Sequence, residues 1–452
     1  MEENGFLRLC FERMFNPERS KEMKFHRIKG VKELRDFFLL WSTQSVSQLG
    51  SAMTSFALTL WLYEKTGSSL STAALTICSY APYVVMSIFA GALTDRMDKK
   101  KSMLLCDLLA AACTVAIFVL FSTGTLAVGH LYALNAFSGL MNTVQQPASE
   151  VAMTLVIPKA HYQTASSLTS LSRSLISILT PLLATALYTL VGLKGVIAVD
   201  LISFAAAFVT LLCFIRLPPT RRHERESVLM LAHEGLAFLR RTPLVLTLIL
   251  FMAGINFVSS AFDAALPGLV LPNPRGGSTV LGAVTSCAGL AMVLGSLLVS
   301  LLPKPKDRVR AVYLTMLFSM STENFVLAFT RNPIFWCIAQ GLGWIVVPIM
   351  SANLDVILRS TIPVELQGRV YACRNTLQFF TIPIGLFWGG WMVDAVCEPL
   401  MAAHQESAAL STLFGQGKGA GAAMVLFILG LTGCLFCLLA GRKLKKYHFS
   451  ER

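Results

Sequence analysis

The run Gly91-Ala92-Leu93-Thr94-Asp95-Arg96-Met97-Asp98-Lys99-Lys100-Lys101 packs two acids and four bases between the apolar stretches 70–93 and 102–122. Each stretch is long enough to cross a hydrocarbon layer about 30 Å thick, which takes about 20 helical residues. A short, charged turn between such stretches marks a chain that leaves lipid and at once re-enters it. The rest of the sequence agrees. Of 452 residues, 54% are apolar and only 14% are charged, where a soluble domain carries about 25% charge. With a mean hydropathy of +0.63, too few charges remain to cover a water-facing surface, and a soluble enzyme is excluded.

Working outward from that turn, twelve apolar segments can span a bilayer: 37–63, 70–93, 102–122, 130–156, 163–191, 195–215, 244–271, 278–302, 311–330, 333–358, 367–396 and 420–441. The runs are continuous and rich in Leu and Ala, so they read as helices and not as the alternating strands of a barrel. The net charge is +13, and 32 of the 38 Lys and Arg fall on the two termini and every second loop. Cytoplasmic loops collect such cations, which puts both termini inside and requires an even number of spans. The expected organisation is a basic extension (1–36), a first six-helix bundle (37–215), a linker (216–243), a second bundle (244–441) and a tail (442–452).

The halves echo each other. Gly50 answers Gly254, and Gly91 answers Gly295, each 204 residues apart; Ile157-Pro158 recurs as Ile362-Pro363 after 205. These landmarks hold equivalent places in each half, which indicates duplication. The seam holds Pro218-Pro219 and a candidate surface helix over 228–241. Parallel halves with a binding site between them are a transporter architecture.

At this point the turn itself becomes informative, because it resembles the signature loop of the major facilitator superfamily, G-x-L-a-D-r-x-G-r-k-r. Gly91, Leu93, Asp95, Arg96 and the basic tail with Lys100 match, while Asp98 stands where the family has a second Gly. The resemblance implies an all-α membrane protein of twelve transmembrane helices in two pseudo-symmetric six-helix bundles. It also implies that Gly91, Asp95, Arg96 and Lys100 form a conformational latch against the start of span eleven, where this chain offers Gly368-Arg369. A carboxylate at Asp95 can rest on the positive N-terminus of a neighbouring helix. Further strings, Gln44-Ser45-Val46-Ser47-Gln48-Leu49-Gly50, Pro147-Ala148 and Gln367-Gly368-Arg369-Val370, are similar to the macrolide-efflux and siderophore-exporter branch. That likeness implies a monomer in a bacterial cytoplasmic membrane, exporting small amphipathic or drug-like compounds in exchange for protons. Drug antiporters carry G-x-x-x-G-P in span five. Here the stretch is Ile176-Ser177-Ile178-Leu179-Thr180-Pro181, which keeps the proline kink and lacks both close-packing glycines.

Ionisable groups at membrane depth are functional candidates, because burying one alone is costly. Arg173 lies ten residues into span five, about 15 Å deep at a rise of 1.5 Å per residue. It either meets cargo or pairs with an acid. Asp200, Asp263 and Glu323 are candidates for proton coupling, with an interface anchor or a structural hydrogen bond as the other reading of each. Asp107, Glu150 and Asp355 lie toward the basic face, where loop cations are their expected partners. Gln44, Gln48, Asn142, Asn256 and Gln340 fall on spans one, four, seven and ten, the helices that line the central cavity in the resembled family.

Other chemistries find no support. The eleven cysteines are scattered, and the one C-x-x-C, Cys434 and Cys437, has no second pair or nearby His, so neither zinc nor redox work is expected. The sequence has no G-x-x-x-x-G-K-[ST] phosphate loop, and its cations border the membrane instead of forming a nucleic-acid patch. No cofactor is expected, and no nucleic acid; the expected partners are a small-molecule substrate, protons and the lipid bilayer. An importer or uniporter of a metabolite, or a receptor that moves nothing, is the competing reading.

Overall fold

The structure is a computed structural model that describes residues 35–96, 98–157, 161–215, 228–303 and 305–447. The basic extension before residue 35, the start of the linker and the last five residues lie outside the described residues, as do the side chains of 87–96.

Every regular element among the described residues is helical. In the first half these are α1 (Arg35–Thr66), α2 (Ser69–Arg96), α3 (Lys99–Ser122), α4 (Val128–Val156) and α5 (Tyr162–Cys213). The long run α5 is two crossings, because Gly192 breaks it with φ 68° and ψ −176°, a left-handed conformation that glycine adopts without strain. A surface helix, α6 (Val228–Arg241), leads into the second half: α7 (Pro243–Val270), α8 (Ser278–Leu301) and α9 (Arg308–Phe329). Span ten is split into α10 (Pro333–Ile345) and α11 (Val347–Thr361). Span eleven comprises α12 (Val364–Phe379), α13 (Thr381–Trp391) and a π-helical turn, Met392–Cys397. The short α14 (Glu398–Ala403) and α15 (Ala408–Phe414) precede the last span, α16 (Ala420–Leu444).

Among the described residues, nine helical runs are long and apolar enough to cross a membrane, and Ala165–Cys213 among them is two crossings. The 32-residue α1 and the 29-residue α4 are long enough but too polar to be among those nine. Their polar residues turn out to face a cavity and not lipid. Large apolar side chains such as Leu190, Ile202 and Leu301 project outward at 71–80% exposure, the belt that hydrocarbon covers.

Pairings repeat between halves. In the first, α1 packs on α5, α2 on α4, and α3 on α4 and α5. In the second, α7 packs on α16, α8 on α10, and α9 on α10 and α16. The bundles meet along two seams, α2 against α13 and α5 against α8.

Two departures from the sequence reading have physical causes. The signature turn is shorter than expected, since α2 continues through Arg96 and Asp98 caps α3, its Oδ1 accepting from Lys101 N at 2.9 Å. An acid at this cap satisfies one of the first N–H groups of α3, which have no acceptor within the helix. Close packing at span five is also kept, although the glycines sit on its partner. A Cβ on Gly282 would lie 2.8 Å from the Pro181 carbonyl oxygen, and one on Gly289 would lie 3.1 Å from that of Ser177. Ser286 Oγ adds a bond to Ile178 O at 3.0 Å.

Candidate functional site

Within the first bundle, α1 to α5 enclose a cavity of about 930 Å³, the upper end of the range for ligand pockets. Helical periodicity builds its walls. On α1 the lining residues Gln44, Gln48, Ser51 and Ser55 recur at spacings of four and three, one face of a 3.6-residue helix. On α4, Asn135, Ser138, Asn142, Gln145 and Ser149 do the same, and on α5, Ser166, Ser170 and Arg173. Trp41, Tyr80, Tyr83 and Phe204 supply aromatic surface among these polar groups.

Among the described residues that line the cavity, three are carboxylates and Arg173 is the one cation. Arg173 Nη2 stands 3.8 Å from Glu150 Oε1, and both side chains are more than 60% exposed, so this pair is solvated and weak. Nearby, Ser45 Oγ donates to Ser172 Oγ at 3.1 Å and ties α1 to α5. Asp107 on α3 accepts from Gln145 Nε2 on α4. Gln44 approaches the same carboxylate, while its buried Nε2 completes no hydrogen bond. Asp200 is only 3% exposed and accepts from Ser51 Oγ at 2.9 Å. Asp107 and Asp200 are thus held by neutral donors and retain attraction for a cation that enters.

The candidates from the sequence divide between the halves. Gln44, Gln48, Asn142, Arg173 and Asp200 line the cavity. Asn256 and Gln340 do not: Asn256 Nδ2 donates to Gln378 O at 3.1 Å, joining α7 to α12, and Gln340 is buried in α10 at 2% exposure. Their helices carry the right residue types but turn them into helix contacts. Glu323 is buried at 5% exposure and accepts from Trp344 Nε1 at 2.9 Å. Asp263 stands near it on α7, with its side chain exposed.

The latch residues stand on both sides of the turn. Gly91, Asp95 and Arg96 fall on the last turns of α2, with side chains outside the described residues. Lys100 Nζ donates to Leu212 O at 2.9 Å and Ile215 O at 2.7 Å, closing the end of α5. Arg369 pairs with Glu234 on α6, so the surface helix is tied to the start of span eleven.

Sequence reading passed over Asp107 and Glu150 by giving them loop cations as partners. Gln145, four residues after Met141 and one turn from Asn142 on the polar face of α4, was the available signal for the first. Nothing in the sequence signalled Asp394, which bonds to residues more than 300 positions away.

This fold and site are those of a multi-pass helical membrane protein with a polar cavity in its first half. The family model described as Major Facilitator Superfamily matches residues 40–386, and the chain belongs to that family. Macrolide efflux protein A of Streptococcus pyogenes is 24% identical over 369 residues, which cover 80% of this chain and 90% of that protein. Multidrug efflux pump Tap of Mycolicibacterium fortuitum is 24% identical over 360 residues, covering 76% and 86%. Among solved structures, a bacterial homolog of the human lysosomal transporter Spinster, in an inward-facing, unoccupied conformation, superposes with a TM-score of 0.68. It is 13% identical and covers 93% of this chain and 99% of its own, a likeness of fold.

Proposed function

We propose that this protein is a secondary active exporter of small amphipathic cations, driven by protons and working by alternating access of its two bundles. The observation that carries this reading is the cavity of about 930 Å³, whose described lining residues set three acids against one arginine. Since Arg173 and Glu150 offset each other, Asp107 and Asp200 leave the walls net acidic. Cationic groups are favoured there by charge, and the aromatic walls accept apolar rings.

The basic face, with both termini, is the cytoplasmic one by the distribution of Lys and Arg. On the other face, among the described residues, Ser68 to Leu70 meet Asp394 and Gly282 meets Pro181 across the bundle boundary. Arg173, toward the middle, remains exposed. A cavity reached from the cytoplasm is the state that takes up cargo for export. Asp200, on the cavity wall, is placed to exchange a proton for cargo, and Asp263 and Glu323 offer a second acidic pair in the other bundle. Asp95 and Arg369 close the cytoplasmic face in the opposite state.

Reconstitution in proteoliposomes with an imposed pH gradient tests the reading. Wild type is expected to accumulate or expel lipophilic cations only while the gradient lasts. Arg173→Ala and Asp95→Asn are each expected to lower that flux more than they lower the amount of folded protein. Equal flux from both variants and wild type would remove the site assignment, and flux indifferent to the gradient would remove the coupling.

A further inference from the structure

Asp394 sits on the π-helical turn that follows α13, in the second bundle. Its carboxylate reaches across the bundle boundary to the first turn of α2. Ser68 Oγ donates to Oδ2 at 2.6 Å, Leu70 N donates to Oδ2 at 2.8 Å, and Ser69 N donates to Oδ1 at 3.1 Å. The first N–H groups of a helix have no acceptor within the helix, and that end carries partial positive charge. Ser68 is already a cap of the ordinary kind, its Oγ accepting from Ser71 N at 3.0 Å. Asp394 adds a second layer, a charged acceptor supplied by the opposite half of the molecule. Charge-assisted bonds of this kind are about twice as strong as neutral ones.

Packing below the carboxylate brings the helices to backbone distance. A Cβ on Gly390 would lie 2.7 Å from Leu70 Cα. One turn deeper, Ala73, Ala264 and Leu386 form a buried cluster shared by α2, α7 and α13. A π turn within a helix recurs at functional positions, and here it holds an acid that spans the seam at this end.

We propose that Asp394 is a positioning residue for transport: it locks α2 to span eleven on the face opposite the termini, and this lock must break whenever that face opens. The proposal rests on the alternating-access reading above. Under that reading Asp95, at the other end of α2, meets the start of span eleven on the cytoplasmic face. The two helices then hold each other reciprocally, each carrying an acid near the end that meets the other's start, on opposite faces. Rocking of the bundles makes one contact as it breaks the other. Cargo is released outward only after the Asp394 lock has opened.

Hydrogen–deuterium exchange on the full chain in lipid nanodiscs tests this without any cargo. Asp394→Asn is expected to raise exchange of the amides at 69–72 about tenfold, the worth of one charged hydrogen bond. In the same sample, exchange at the cytoplasmic ends of α2 and α12 falls, because that face closes. Asp95→Asn moves both regions in the reverse direction, and Ser68→Ala gives a smaller shift of the same sign as Asp394→Asn. Faster exchange at 69–72 with no change on the cytoplasmic face would reduce Asp394 to a local cap and overturn the proposal. So would no change anywhere, or shifts of the same sign in Asp394→Asn and Asp95→Asn. A wild type that expels no cation in proteoliposomes sinks the exporter reading alone, since these exchange signs do not depend on cargo.

Discussion

The two bundles share one set of helix pairings and use it differently. In the second, one large apolar cluster runs from Leu239 to Leu444 and takes in Leu60 of the first, with Phe251 stacked on Phe436 at 5.8 Å, and its polar groups turn to one another. In the first, the apolar core is divided into smaller clusters around Leu58, Leu40 and Phe37, and the cavity lies beside them. Duplication thus preserved the framework while the interior was free to change. One half became a packed body, and the other kept polar helix faces turned to water. An alternating-access protein gains from this division, because a rigid partner lets a small change at a seam move a whole bundle.

Substitutions can break or sharpen that contrast. The largest effect is expected from Phe251→Ala, in the packed half. It removes a ring that is 2% exposed, at a cost of about 3 kcal/mol or more. Thermal unfolding should register the loss, while the ranking of cargoes stays as in wild type. A change in ranking would mean that the second bundle shapes the site. Next comes Asp200→Asn, which keeps the Ser51 hydrogen bond and removes the charge. Export should fall roughly tenfold, the scale of one charge-assisted interaction, with folded protein unchanged in the membrane.

Asp107→Asn is expected to weaken competition by lipophilic cations several-fold, within about 1.4 kcal/mol, while uncharged compounds are affected less. Glu323→Gln is its counterpart in the packed half, because glutamine can still accept from Trp344. Competition assays should show no change in cargo ranking for Glu323→Gln, and an equal change in both variants would erase the contrast. The smallest effect belongs to Asn256→Ala. It deletes one helix-to-helix bond, which in membranes averages about 0.6 kcal/mol, so a slight drop in thermal stability with normal export is expected.

Much of the fold was legible because its cues are local. The charged turn at Asp95–Lys101, the glycine pairs 204 residues apart and the alternation of basic loops were all visible in the chain. The cavity was half legible. Gln44 and Gln48 lie there and Gln340 does not, although all three are glutamines on helices expected to line the cavity. Periodicity tells which residues share a face, but packing sets the rotation of that face. Span five lacked its glycines in sequence, yet Gly282 and Gly289 on α8 provide the same closeness. A packing motif can be split between partners, and a reading confined to one helix misses its other half.

By itself, the sequence determined that the chain crosses the membrane as helices, how many times, and which face gathers the cations. In hydrocarbon every backbone N–H and C=O must be satisfied within its own segment, so these properties follow from composition and order along the chain. Tertiary structure alone decided that Asp394 caps α2, that Arg173 faces Glu150, and that Asn256 binds Gln378. Each of these contacts joins different helices, and the angle and rotation at which helices meet depend on the fit of their whole surfaces.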